Sequence, residues 1–197
     1  MDESATLRTR VLDAAEALFY ARGLQTVGMD EIRTTAGVSL KRLYQLFPSK
    51  ECLVRAYLHR RDAHWRAKLA EYVDARPSAG ERIPAVFDWL HLWFSEPGFR
   101  GCAFINAFGE LGATSDVVAE ATRTHKEAFR RYVAGLVAAV GAPAALADQI
   151  ALLAEGAMTT AAVSGSPEPA RQGRAAARTL LEAALTRSPA GAAARPS

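Results

Sequence analysis

Lys41, Arg42, Tyr44 and Gln45 lie within five consecutive positions of the segment SLKRLYQLF. Arg, Lys and Gln hydrogen-bond to base edges in the major groove of DNA, and the two cations also neutralise phosphates. That chemistry needs the four side chains on one short helix whose apolar face is turned inward. Leu40, Leu43 and Phe47 offer the inward face, Ser39 is a good N-cap, and Pro48 ends the helix. A second short helix is expected just upstream, over Met29–Ala36, with Ile32 as its buried contact. Gly37-Val38-Ser39 then forms the turn, and Gly37 suits it because glycine tolerates the left-handed conformation. Two short helices joined in this way have the layout of a helix-turn-helix, held together by Ile32, Val38 and Leu43. Taken alone, the pattern fits a plain helical hairpin equally well.

Charge falls on the same segment. The 197-residue chain carries a net charge of +3. Residues 1–61 hold 10 Lys/Arg against 7 Asp/Glu, whereas residues 62–197 hold 14 against 14, so the whole excess lies at the N-terminal end. Residues 39–61 contain six basic side chains (Lys41, Arg42, Lys50, Arg55, Arg60, Arg61) and one acid, Glu51. A local basic patch points to a polyanion partner.

Other chemistries find little support. There is no HExxH, CxxC, G-x-S-x-G or phosphate-binding glycine loop. His59 and His64 are five apart, off the spacing that puts two ligands on one helix face. No catalytic, metal-binding or cofactor-binding residue is therefore expected, and a helical enzyme is a distant alternative. Two cysteines, Cys52 and Cys102, cannot build a disulfide framework and suggest a reducing compartment. The polar start MDESATLRTR lacks the apolar core of a signal peptide, and the longest uncharged stretch, Tyr132–Ala147, is too short to span a bilayer. A cytoplasmic protein with no membrane partner is expected.

The elements that position these residues are helices. Alanine, the best helix former, occurs 41 times, and no segment alternates as a strand would. We expect an all-α fold of about nine helices. The first ends at Gly23, the fourth runs from Ser49 to about Ala75, and the fifth spans about Gly80–Ser95. The sixth covers Arg100–Leu111, the seventh Asp116–Val140, the eighth Ala144–Val163 and the ninth Ala170–Arg187. The domains expected are a three-helix head over 1–48 and a helical body over 49–187, with 49–75 as the connecting helix. The tail, 188–197, has no core-forming residues and is expected to be disordered.

The stretch AGVSLKRLYQLFPSKECL resembles the recognition segment of TetR-family transcriptional repressors. The match lies in Ala36-Gly37-Val38-Ser39, Leu43-Tyr44, Phe47 and Ser49-Lys50-Glu51, with the AEALF segment (Ala15–Phe19) and Gly23 upstream, and covers about residues 7–55. The resemblance implies a homodimer that binds a palindromic operator in double-stranded DNA and is released by a small-molecule effector. It implies phosphate contacts at Tyr44 and Lys50, and groove contacts from Ser39, Leu40, Lys41, Arg42 and Gln45. Thr26 stands one residue before the position of a phosphate-binding Thr of the family and is taken to replace it. The chain departs from the family pattern at Leu40-Lys41-Arg42, where Lys-Gly-Thr is common, at Gln45-Leu46, where His-Tyr is common, and at Arg33, where a small Ala is usual. The operator therefore cannot be borrowed from relatives.

In the body, seven of the 16 aromatic residues fall between 87 and 108. As a cluster they describe the wall of an apolar cavity or an ordinary core. Phe87, Trp93, Phe104 and Phe108 are the apolar candidates for a hydrophobic effector, with Phe129, Met158 and Thr159 behind them. His91, Cys102, Asn106, Glu110, His125 and Glu155 are the polar ones. Gly101-Cys102-x-Phe104-x-Asn106 is similar to a pattern near the effector cavity of many TetR-like regulators. Redox sensing through Cys102 is the alternative mechanism. Small residues on the last two helices suggest close helix approach. Ile150, Ala151, Ala154, Ala157 and Ala161 on the eighth, and Ala176, Leu180 and Ala183 on the ninth, are expected at a dimer interface, because the family pairs these helices into a four-helix bundle.

Overall fold

The computed structural model describes residues 3–187, and among them the chain forms nine α-helices and no strand. They are α1 Glu3–Arg22, α2 Met29–Ala36, α3 Leu40–Leu46, α4 Lys50–Asp74, α5 Ala79–Phe94, α6 Ala103–Leu111, α7 Asp116–Ala139, α8 Ala145–Ser164 and α9 Glu168–Arg187. The all-α class read from the sequence is observed. The tail expected to be disordered lies outside the described residues.

Two boundaries differ for local reasons. The sixth helix begins at Ala103 rather than Arg100, because Gly101 is left-handed (φ 83°) and Cys102 is extended as its N-cap. A Cβ at Gly101 would stand 2.9 Å from the Cβ of Ala162. The ninth helix begins at Glu168, two residues early. Pro169 sits in its first turn, where a missing N–H breaks no helical bond, and the Ser166 hydroxyl accepts from the Glu168 N–H at 3.3 Å.

The chain divides into two compact units. One takes the described residues up to His64 together with Cys102–His125; the other takes Trp65–Gly101 and the described residues from Lys126 onward. The limits fall inside α4 and α7, so α6 and the first turns of α7 group with the helix-turn-helix.

In the first unit α1 packs on α2, and α2 on α3. Val11, Ala15, Phe19, Val27, Ile32, Leu43, Phe47, Leu53 and Leu58 are buried. Tyr57 meets Phe19 with ring centroids 5.5 Å apart, and burial pushes its phenol pKa above the usual tyrosine range. Ion pairs join α1 to α4. Arg60 reaches Glu16 at 2.7 Å and Asp13 at 2.7 Å, and Arg61 reaches the other oxygen of Glu16 at 2.9 Å. Burial alone would raise the Glu16 carboxyl, but the Arg61 and Arg60 guanidiniums outweigh it and hold the pKa below the ordinary 4.5.

In the second unit α5, α8 and α9 pack on one another. Trp65, at the start of this unit's share of α4, meets Trp89, Trp93 and Phe129 edge-on at 5.2, 5.7 and 5.6 Å. Gly173 of α9 lies against Phe87 of α5: a Cβ there would stand 2.8 and 2.9 Å from two ring carbons.

Because the folded pKa of Glu16 is depressed, its stabilisation is fully present above the unfolded pKa and is lost as pH falls through the folded value. Glu16→Gln is therefore expected to lower the melting midpoint at pH 7 by about 3–6 °C, corresponding to about 1–2 kcal/mol. The difference from the parent protein should shrink as pH is taken below 4.5; thermal scans at pH 7, 5 and 3.5 read it.

Candidate nucleic-acid interface

The turn between α2 and α3 is closed by backbone bonds. Gly37 is left-handed (φ 63°, ψ 41°), its N–H donates to the Thr34 carbonyl at 3.2 Å, and the Val38 N–H donates to the Arg33 carbonyl at 3.0 Å. This leaves Ser39 extended, with its hydroxyl accepting from the Arg42 N–H at 3.2 Å as the N-cap of α3. Ile32 and Leu43 are fully buried, pinning the two helices together.

Two arginines of α1 complete the clamp. Arg10 donates to the Ala36 carbonyl at 2.6 Å and the Gly37 carbonyl at 3.3 Å. Arg8 donates to the Leu46 carbonyl at 3.2 Å, with its guanidinium 4.4 Å above the Phe47 ring. Carbonyls at helix ends lack partners inside the helix, and these cations supply them. Sequence reasoning missed both residues. Their partners are 26 to 38 positions away, and the only signal was two cations on a helix preceding two short helices.

The outer face of α3 carries the residues expected to meet DNA. Lys41, Tyr44 and Gln45 are exposed, and Arg42 is half-buried with its guanidinium 3.3 Å from the Gln45 side-chain oxygen. Leu40 and Tyr44 are each 44% exposed. Leu40 does not face inward as expected. It is the first residue of a seven-residue helix, and Leu43 and Phe47, one turn apart, fill the inner side.

The remaining expected contacts have intramolecular partners. The Thr26 hydroxyl donates to the Arg22 carbonyl at 2.7 Å. The Lys50 ammonium lies 3.4 Å from the Gln25 carbonyl; burial lowers its pKa, opposed by the charge of Glu110. Ser49 caps α4, its hydroxyl accepting from the Cys52 N–H at 3.1 Å. Arg60 and Arg61, counted in the basic patch, are paired with Asp13 and Glu16, which leaves Lys41 and Arg55 exposed and Arg42 and Lys50 half-buried.

The expected ligand contacts divide between the units. Cys102, Phe104, Asn106, Phe108, Glu110 and His125 belong to the first. There Phe104 and His125 are buried and stacked, centroids 3.8 Å apart, and the imidazole Nδ1 lies 2.7 Å from Asp62. Phe104 and Asp62 line a cavity of about 360 Å³ with Arg55, Leu58, His59, Val117, Glu120, Ala121 and Thr124. Cys102 is buried at the start of α6, while Asn106 and Phe108 are exposed. Glu110 accepts from the Gln25 N–H at 2.8 Å.

Phe87, His91, Trp93, Phe129, Glu155, Met158 and Thr159 belong to the second unit. Trp93 packs on Trp89, Phe94 and Phe99, with centroids 5.1 to 5.7 Å apart. Phe87, Phe129 and Met158 are buried. His91 contacts the Pro167 carbonyl at 3.2 Å, Glu155 pairs with Lys126 at 2.6 Å, and the exposed Thr159 donates to the Glu155 carbonyl. Of the residues named for an interface, Ile150, Ala151, Ala154, Ala157 and Ala161 are buried within the chain, and Ala176, Leu180 and Ala183 are half-buried. The outward stripe of α8 is a different one: Leu152 (73% exposed), Gly156, Thr159 and Val163 (85% exposed).

Residues 11–57 match the family model for bacterial regulatory proteins of the tetR family. A solved TetR-family transcriptional regulator from Streptomyces coelicolor is 31% identical, with 91% of this chain and 96% of that chain covered and a TM-score of 0.84. An uncharacterized HTH-type transcriptional regulator of Mycobacterium tuberculosis is 51% identical over 51 residues, 26% of this chain and 25% of the relative. The HTH-type transcriptional activator FasR of Mycolicibacterium smegmatis is 38% identical over 87 residues, 42% of this chain and 40% of FasR. The chain thus matches about a quarter to two fifths of the length of these two curated relatives.

Arg10→Ala removes the partner of the Ala36 and Gly37 carbonyls. Amide exchange over residues 36–39 is expected to accelerate about tenfold, the loss of one good hydrogen bond, with exchange in α8 and α9 unchanged.

Proposed function

Because the chain belongs to the TetR family of transcriptional regulators, DNA-binding proteins rather than enzymes, we propose that it is a homodimeric repressor. Its two helix-turn-helix heads hold a palindromic operator and release it when a hydrophobic small molecule binds. The observation that carries the reading is α3: clamped by Arg10 at the start of its turn and by Arg8 at its far end, it turns Lys41, Arg42, Tyr44 and Gln45 outward. Arg42 and Gln45 read base edges, while Tyr44, Lys41 and Lys50, with Thr26 at the entry to α2, hold phosphates.

The second copy docks on α8 and α9. Leu152, Gly156, Thr159 and Val163 recur at intervals of four, three and four and share one face. A glycine in that stripe admits a close helix. Ala176, Leu180 and Ala183 of α9 supply the rest. Such a dimer sets two recognition helices roughly 34–36 Å apart, or a multiple of that, on one side of the duplex. The effector enters the cavity in which Leu58, Phe104, Val117 and Ala121 form an apolar wall beside Arg55, His59, Asp62 and Glu120, and whose volume of about 360 Å³ suits a small ligand. It shifts the equilibrium only by its differential affinity for the released form. Helix α4 carries four residues of that cavity wall and also Lys50, which makes it the lever.

Selection of DNA sites with the purified protein should return a palindrome, and a reporter under that site should rise when the gene is deleted; a fall would make the protein an activator. Lys50→Ala is expected to weaken binding to all sequences and to reduce the salt slope by about 1. Tyr44→Ala weakens all binding as well. Arg42→Ala and Gln45→Ala should change the selected sequence, each mismatch position being worth about 1–3 kcal/mol. Val163→Glu should yield monomers in sedimentation and abolish operator retention.

A further inference from the structure

Between α1 and α2 the chain runs through Gly23–Gly28 with no regular backbone pairing of its outward residues. Leu24 and Val27 are buried and anchor the inner side of this loop. Gln25, between them, is exposed, and three of its polar groups are taken by two residues distant in sequence. Its backbone N–H donates to the Glu110 carboxylate at 2.8 Å, its side-chain amide donates to the Glu110 carbonyl at 2.6 Å, and its own carbonyl accepts from the Lys50 ammonium at 3.4 Å. Gly23 makes room for this. It is left-handed (φ 90°), and a Cβ on it would stand 2.7 and 2.9 Å from the two carboxylate oxygens of Glu110 and 3.0 Å from the carboxyl carbon. The carboxylate therefore fills the space that a side chain at position 23 would need.

Glu110 thus does two things at once. It closes the loop that leads into α2, and its negative charge partly offsets the burial that lowers the pKa of the Lys50 ammonium. Thr26 and Lys50, two of the phosphate contacts of the proposed function, are the groups so arranged. We propose that Glu110 is a positioning residue for DNA binding: from the last turn of α6 its carboxylate holds the Gly23–Gly28 loop, and through the Gln25 carbonyl the Lys50 ammonium, in the arrangement that engages the phosphate backbone. It touches no DNA itself. The inference rests on the reading of Lys50 and Thr26 as phosphate contacts.

The sign of the effect separates this role from a bystander's. An acidic side chain near a DNA-binding surface repels phosphate, so deleting a bystander carboxylate tightens binding. Deleting a positioning carboxylate weakens it. The full chain, its Glu110→Ala and Glu110→Gln variants, and Lys50→Ala are to be compared on the selected DNA site at fixed salt, alongside melting midpoints and amide exchange at Gln25. Glu110→Ala is expected to lose about tenfold in affinity, the loss of one charge-assisted hydrogen bond, with faster exchange at Gln25 and no loss of folded protein at the assay temperature. Glu110→Gln keeps an acceptor for the Gln25 N–H and should recover Gln25 protection and at least half of the logarithmic loss. The proposal is overturned if Glu110→Ala binds as tightly as the parent or more tightly, or if both variants lose binding only in proportion to unfolded protein. If the parent retains no DNA, the functional reading fails and takes this one with it. If the parent binds and Lys50→Ala is neutral, only the phosphate role of Lys50 is lost, and the Glu110→Ala result still decides.

Discussion

One carboxylate, shared by two guanidiniums, fixes α1 on α4. Glu16 accepts from Arg60 and Arg61 through separate oxygens, and Asp13 gives Arg60 a second partner. Each α1 turn then has a task. Asp13 and Glu16 face α4, while Arg8 and Arg10 reach the C-terminal ends of α3 and α2. A seven-residue helix is too short to be stable by its own hydrogen bonds. It is fastened at two points by α1, and α1 is held on α4 by the Glu16 and Asp13 pairs together with the Phe19–Tyr57 contact. The outward face of α3 thus depends in part on ion pairs between α1 and α4, two helices to which it does not belong.

This changes the meaning of the basic excess in the first 61 residues. Arg8, Arg10, Arg60 and Arg61 work inside the fold, as scaffolding for carbonyls and carboxylates. Arg22 pairs with Glu31 and Arg33 with Asp30. The charges turned outward on α3 and near it are few, so orientation rather than total charge must supply most of the discrimination among DNA sites.

The helix-turn-helix was legible because its signals are local. A left-handed glycine, a serine N-cap and a proline stop each act within four residues, and the structure keeps all three. The family resemblance extended that reading to the fold. What stayed hidden depends on distant pairs. Nothing around Gln25 hints at Glu110, 85 positions away. The aromatic concentration between 87 and 108 was legible as a cluster but not as a wall. In the second unit Trp65 meets Trp89 and Trp93 edge-on while those two stack on each other, so their surfaces are largely taken up by the core itself. The alanines of α8 announce a close helix neighbour, yet not which one. Ala154 and Ala161 are buried inside the chain, and the outward stripe mixes Leu, Gly, Thr and Val with no compositional signature.

The meeting of Gly173 with Phe87 works as a gauge. Ring carbons occupy the place of any Cβ on that glycine, so α9 can lie against α5 with only this residue at the crossing. Gln172 and Arg174 project about 100° to either side of it. The residues one turn away on the same face are Ala170, Ala176 and Ala177, and each carries the Cβ that Gly173 lacks. A slip of α9 by one turn would therefore set a methyl where the ring now lies, so this one glycine marks the axial register of α9 on α5.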